Sequence, residues 1–330
     1  MAIKLAVLDL VPIVEGGDAA QALANALDLA QRAEGWGFGR YWVAEHHNMR
    51  GIASAATAVV IGHIAGGTSA IRVGAGGVML PNHAPLVIAE QFGTLESLHP
   101  RRIDLGIGRA PGTDQVTAHA LRRTLAGDIN EFPRDVMELR DYCAEAGPQR
   151  QVCAVPGEGL RVPLWILGSS LYGAQLAALL GLPYAFASHF APAALDQALA
   201  TYREHFVASP QLDAPYVMAA FNMFAADTED EARLLRTSSQ QSFLKLRTGN
   251  PGPLPPPKAD FEATLGAAER HLLGQITACS AVGNPDQAHE QLRSFIQRTK
   301  ADEVILSAHI YDHAARLRAY EIAAAIGADL

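Results

Sequence analysis

Apolar and polar positions fall in alternating blocks along the chain. Short continuous apolar runs recur: "IKLAVLDL" (3–10), "RYWVAE" (40–45), "IRVGAGGVML" (71–80), "RIDLGIG" (102–108), "PLWILGS" (163–169), "PYAFAS" (183–188), "PYVMAAFNMFA" (215–225) and "DEVILSA" (302–308). Runs of this length without internal alternation read as strands covered on both faces. The stretches between them carry apolar residues at helical spacing. "DAAQALANALDLAQRAEGWG" (18–37) predicts a helix with Asp18 as N-cap and Gly35 or Gly37 at its stop. Further helices are predicted near 53–66, from Pro85 to Leu98, from the fifth strand to Leu180, from Pro192, over 228–246 with an acidic first turn, and over 312–326. A strand-then-helix rhythm with eight strands predicts an α/β fold. It fits a closed (β/α)8 TIM barrel better than an open doubly wound sheet. Two segments exceed the repeat, 109–161 after strand four and 248–275 after strand seven. The second contains "GNPGPLPPPKAD", too rich in Pro and Gly for either element, and loops of such length are usually lids or disordered. Residues 1–330 are expected to form a single domain.

Composition narrows the function. The 330 residues are 49% hydrophobic and 18% charged, enough for a large core. The formal net charge of −8 argues against a nucleic-acid binder but leaves room for a small anion held by local Arg residues. Cys143, Cys153 and Cys279 are widely separated and odd in number, which fits a reducing compartment. Asp9 and Pro12 interrupt the apolar N-terminal stretch, and no later run reaches transmembrane length. A soluble, cytoplasmic chain with no membrane partner is expected.

In a barrel of this kind, chemistry sits where the strands end. Strand two ends in Glu45-His46-His47, strand three in Gly76-Gly77 followed by Asn82-His83, and strand four in Gly108-Arg109. Strand five ends in Gly168-Ser169-Ser170, strand six in Ser188-His189, and strand eight in His309; strand seven carries Asn222. Adjacent His46 and His47 cannot both point inward along one strand. Neither H-x-H nor H-E-x-x-H occurs, so no metal site is expected. One imidazole lining a pocket, with the other packed or paired to Glu45, is the preferred reading. Glycines 74, 76 and 77 allow either close approach of a flat ligand or tight packing against a neighbour. Gly106-x-Gly108 lacks the third glycine of a dinucleotide fingerprint, because Pro111 occupies that place. Arg109 is a candidate phosphate contact, its alternative being a surface ion pair. The strand–Gly-Ser-Ser–helix run at 163–180 offers backbone N–H groups and hydroxyls to an anion, or simply a Ser cap. Trp42, His83, His189 and Asn222 are candidate substrate-pocket residues, and Trp42, Met79 and Phe190 make that pocket partly apolar. The whole suits a flat, phosphorylated cofactor.

"LAVLDLVPI", "YWVAEHHNM", "VGAGGVMLPNHAP", "RIDLGIGRAPGTD", "WILGSSLYGAQLAALLGLPYAFASHF" and "AADTEDEAR" resemble, in order and over nearly the whole chain, the bacterial luciferase-like, flavin-dependent monooxygenase family, and more closely its stand-alone alpha-chain-like members. The resemblance implies a TIM barrel and reduced FMN as cosubstrate, delivered by a separate NAD(P)H:flavin reductase. It also implies addition of O2 at the flavin C4a carbon to give a peroxyflavin that oxidises a small organic substrate. By position, His46 matches the family's active-site histidine. Gly76-Gly77 match the pair, often cis, that lies against the isoalloxazine. Arg109 matches the phosphate-binding arginine, and Gly168, Ser169 and Ser170, with Tyr172 and Gly173, fall in the phosphate-binding turn. Gly108 departs from the cysteine of the luciferase alpha chain, which removes any thiol role there. A homodimer is expected. The alternatives left open are a deazaflavin (F420)-dependent oxidoreductase on the same fold and a non-catalytic flavin-binding protein.

Overall fold

The computed structural model describes residues 3–110, 115–121, 131–145 and 151–330. Eight parallel strands close into a barrel: β1 (Lys4–Asp9), β2 (Arg40–Val43), β3 (Arg72–Met79), β4 (Ile103–Gly108), β5 (Leu164–Gly168), β6 (Tyr184–Phe186), β7 (Val217–Ala225) and β9 (Glu303–Ser307). Neighbours pair in sequence order through β6–β7, and β9 joins β7 to β1. The fold is therefore the expected (β/α)8 TIM barrel. A short ninth strand, β8 (Ser280–Gly283), pairs with the distal half of β7 from Asn222 to Ala225. It was not expected. β7 is long enough to outrun the barrel wall, and its projecting end acquires a partner that four small residues do not announce.

Strand alternation decides which residues meet the helices and which fill the barrel. In β2, Tyr41 and Val43 face outward into the helical layer, while Trp42 faces inward with Ala6, Leu8, Trp165, Met218 and Ile305. Around the barrel run α1 (Ala19–Gly35), α2 (Thr57–Gly66), α3 (Pro85–Leu98), α4 (Gln115–Leu121), α5 (Phe132–Cys143), α6 (Leu171–Leu180), α7 (Leu195–Glu204), α8 (Glu229–Arg247), α9 (Ala267–Thr277), α10 (Pro285–Thr299) and α11 (His313–Asp329). Asp18 caps α1 as predicted, its carboxylate accepting from the Gln21 amide at 2.8 Å. The helix near 53–66 starts only at Thr57, because the residues before it are pinned: Ser54 Oγ donates to the Ala44 carbonyl at 2.6 Å. α10 also lay outside the eight-unit reading, although Asn284 and Gln287 form a reciprocal cap at its start.

The N-terminal end of the barrel is plugged by charge. Arg40 Nη1 donates to Asp104 at 2.5 Å and its Nε to Glu303 at 3.0 Å. Arg72 Nε donates to the other Asp104 oxygen at 2.9 Å, and Tyr216 donates to Glu303 at 3.0 Å. Burial pushes the Glu303 carboxyl above its ordinary value, and Arg40 opposes that shift. Buried charges of this kind persist only when paired. The plug leaves the opposite end as the open mouth.

The Pro-rich segment is fastened to that mouth. Leu254 exchanges backbone hydrogen bonds with Ile13 and Glu15, both at 2.8 Å, and is buried. A Cβ on Gly51 would lie 2.2 Å from the Gly252 carbonyl oxygen, so the two loops touch backbone to backbone. The later part of 248–275 is not irregular: a 3-10 turn (Phe261–Thr264) precedes α9, and Leu265 and Leu273 pack on Phe243 of α8. Prolines mask this helix only from the N-terminal side. Much of the 109–161 excursion folds as α4 and α5; residues 111–114, 122–130 and 146–150 lie outside the described residues.

Candidate active site

Glycine geometry sets the floor of the mouth. The Gly76–Gly77 peptide is cis, and the β3–β4 register shifts between Ala75 and Val78. A Cβ on Gly77 would stand 2.8 Å from the Gly106 carbonyl oxygen, and one on Gly74 would stand 2.5 Å from that of Asp104. Packing alone excludes side chains there. Gly76 differs, because its backbone stays half-exposed while a Cβ would meet Leu8 and Trp42 at 2.9 and 3.1 Å. Tight packing therefore explains Gly74 and Gly77, and Gly76 is the one of the three whose backbone stays half-exposed. Trp42 is a correction. Expected in the substrate pocket, it is fully buried, its indole edge-on to Trp165 at 5.1 Å and its Nε1 donating to Asp104 at 3.2 Å. It faces inward and props Gly76 from below.

On another side of the mouth, Arg109 and the start of α6 come together. The Arg109 guanidinium carbon lies 4.2 Å above the Tyr172 ring, a cation–π contact that holds a half-buried side chain over the first turn of α6. Ser169 and Ser170 are exposed, and Ser170 is the N-cap, yet its hydroxyl makes no capping bond. The first turn of α6 holds no acidic residue. A helix N-terminus with an unused cap hydroxyl and an adjacent guanidinium is the kind of place that can receive an anion. In the β5–α6 turn a Cβ on Gly168 would meet the Gly173 Cα at 3.5 Å, an ordinary packing distance, so space alone does not demand glycine there. Tyr184, which the sequence did not flag, donates to the Ser170 carbonyl at 3.1 Å and fixes the turn.

The histidine wall separates into two groups. Glu45 is buried at the end of β2 and takes both His47 and His83: Oε1 lies 2.9 Å from His47 Nε2 and 2.8 Å from His83 Nε2. The Met79 amide donates to Oε2 at 3.3 Å. Burial alone would raise the Glu45 carboxyl, but the bonds and charges of His83 and then His47 outweigh it and hold it below the ordinary value. An ionised carboxylate only accepts, so both imidazoles donate through Nε2. His47 is thus the histidine paired to Glu45, as anticipated. That Glu45 also holds His83, 38 residues away in sequence, was not. The E-x-H spacing at 45–47 is the one signal that local sequence offered.

His46 belongs to the second group, with His189. Burial, and after it the neighbouring His46, lower the His189 imidazole to about 4. His189 Nδ1 is buried without a hydrogen-bond partner among the described residues. Asn222 Nδ2 donates to the His189 carbonyl at 2.7 Å, so Asn222 positions the β6 end. Exposed Phe190 packs edge-on against Phe243 at 6.2 Å and supplies an apolar wall. His309 at the end of β9 is also lowered to about 4, by burial and then Arg316.

A flat phosphorylated ring fits this inventory. It would meet half-exposed backbone at Gly76, the Arg109 guanidinium beside Ser170, and imidazoles of which His189 presents a buried, unsatisfied ring nitrogen among the described residues. Comparisons with known proteins agree in direction. The family model for luciferase-like monooxygenases matches residues 3–303. A "Luciferase-like monooxygenase" of Escherichia coli (strain K12) is 53% identical over 321 residues, covering 97% of this chain and 96% of that one. The N-acetyl-S-alkylcysteine monooxygenase of Bacillus subtilis (strain 168) is 35% identical over 259 residues, 75% of each. Among solved structures, apo-MsnO8 superposes with a TM-score of 0.92 at 34% identity, covering 98% of both chains.

Proposed function

The chain belongs to the luciferase-like monooxygenase family and is a flavin-dependent monooxygenase; from that premise we propose that it uses reduced FMN and O2 to oxidise a small, partly apolar organic substrate. The observation that carries the phosphorylated flavin is the Arg109–Tyr172 contact, which sets a guanidinium over the N-terminus of α6. Arg109, Ser169, Ser170 and the α6 amides bind the phosphate. Gly76-Gly77 present backbone to the ring. Bound reduced flavin supplies the electrons for activating O2, one oxygen atom entering the substrate and the other leaving as water.

His46 acts at the same rim as a proton acceptor or donor through its imidazole. His189 stays neutral beside it, because burial keeps its proton off near pH 7. The apolar wall that includes Phe190 keeps water from the reacting atoms. An NAD(P)H:flavin reductase supplies the reduced flavin. A homodimer is favoured by apolar residues exposed on adjacent helices, Val59 on α2 and Val87 and Leu98 on α3. No helix among the described residues is long and apolar enough to cross a membrane, which fits a cytoplasmic location.

The test is a substrate screen under air with reduced FMN or reduced deazaflavin, following oxygen uptake and product mass. Oxygen-dependent gain of one oxygen atom with FMN supports the reading. Oxygen-independent hydride transfer from the deazaflavin, or tight flavin binding without turnover of any substrate, overturns it.

A further inference from the structure

We propose that Glu45, His47 and His83 form a binding site for one divalent transition-metal ion of the zinc class, a site independent of the flavin chemistry. The donor atoms of the three side chains all lie within 4.8 Å of one another. Glu45 Oε1 already stands 2.9 and 2.8 Å from the two imidazole nitrogens. Zinc bonds of about 2.0–2.1 Å at tetrahedral angles place ligand atoms roughly 3.3 Å apart, so each pair opens by about half an ångström to admit the ion. Side-chain rotation accomplishes that, because the imidazoles are partly exposed (side chains 14% for His47 and 25% for His83) while the carboxylate is anchored in the interior.

The donor set specifies the ion. One carboxylate oxygen and two imidazole nitrogens suit zinc, cobalt or nickel, whereas calcium and magnesium demand more oxygen. The Glu45 carboxylate, held below its ordinary value, supplies the negative charge that a dication requires. On binding, each Nε2 gives up the proton it shares with Glu45 and coordinates the ion through its lone pair.

A second observation is space for solvent beside two of the three ligands, Glu45 and His83. A cavity of about 120 Å3 between α2 and α3 reaches the same cluster, lined by Glu45, His83, Thr57, Gln91 and Ile88. At about 30 Å3 per water it holds several solvent molecules, enough for a metal-bound water and an entry path. Three protein ligands plus water is the arrangement of an open zinc site. The expectation of no metal rested on local spacing, and His83 reaches Glu45 only through the β3 crossover.

The experiment titrates the EDTA-stripped, dialysed full-length protein with ZnCl2 by calorimetry and records the visible spectrum with CoCl2. The expected result is one equivalent of zinc, a tetrahedral Co2+ absorption band, and affinity lower by more than about 100-fold in both His47→Ala and His83→Ala. His205→Ala, an exposed histidine at the end of α7, leaves binding unchanged. Circular dichroism and thermal midpoints confirm that each variant is folded. Absence of zinc binding by the folded wild type, a purely octahedral Co2+ spectrum, or undiminished affinity in folded His83→Ala overturns the proposal. None of these readouts uses flavin or turnover.

Discussion

Arg109→Ala separates the phosphate assignment from every other contribution to cofactor binding. The guanidinium lies over Tyr172 at 4.2 Å, beside the start of α6, whose N-cap hydroxyl makes no capping bond. A hydrogen bond to a charged group is worth about 1.5–3 kcal/mol net, which corresponds to roughly a 10- to 150-fold change in affinity. Arg109 is half-buried rather than sealed from water, so solvent screening places the effect toward the lower part of that range. The assay titrates FMN and riboflavin against wild type and variant, following flavin fluorescence. Riboflavin has the same ring but no phosphate. The expected outcome is that the variant loses most of the preference for FMN over riboflavin while riboflavin affinity changes less than about 2-fold. If both flavins weaken equally, Arg109 acts through the ring or through folding; if neither weakens, the anion site is elsewhere. Either result refutes the reasoning.

His46→Ala is expected to lower turnover by roughly 100-fold or more with FMN affinity within about 2-fold, measured by steady-state oxygen uptake beside the same titration. Unchanged turnover removes His46 from the chemistry. Trp42→Ala is expected to destabilise the fold by about 3–5 kcal/mol in urea unfolding, because the indole is fully enclosed by the inner core; a cost below about 0.5 kcal/mol would mean that it lines an open pocket after all. His189 and His309 have folded-state values of about 4 against an ordinary value of 6.5. Between those values the unfolded chain binds more protons, so stability rises with pH across that window, is fully present above about 6.5, and is lost as pH falls through about 4. Urea midpoints across the window should therefore climb with pH, and a folded His189→Gln variant should climb less steeply. Equal slopes would show that His189 titrates normally in the fold.

The eight barrel strands and the Asp18 cap of α1 were readable from the chain, because each rests on a local rule. A strand covered on both faces must be apolar throughout, and a helix start must satisfy its first N–H groups nearby. Asp18 and Pro85 signal such local demands, and both stand at the starts of their helices. β8 was illegible because four residues carry too little periodicity and its partner is the overhang of β7. α9 was hidden behind prolines that end before it begins.

Contacts across the barrel were decided only in three dimensions. Whether Trp42 faced the pocket or the core depended on strand parity counted from an exact start, and a one-residue error reverses that direction. Whether each glycine served a ligand or a neighbouring strand depended on the register between β3 and β4. The union of Glu45 with His83, and of Arg109 with Tyr172, required the closed ring of strands to bring distant positions to one rim. A sequence records the spacing of neighbours along the backbone; it holds no distance between residues that only the closure of a sheet makes adjacent.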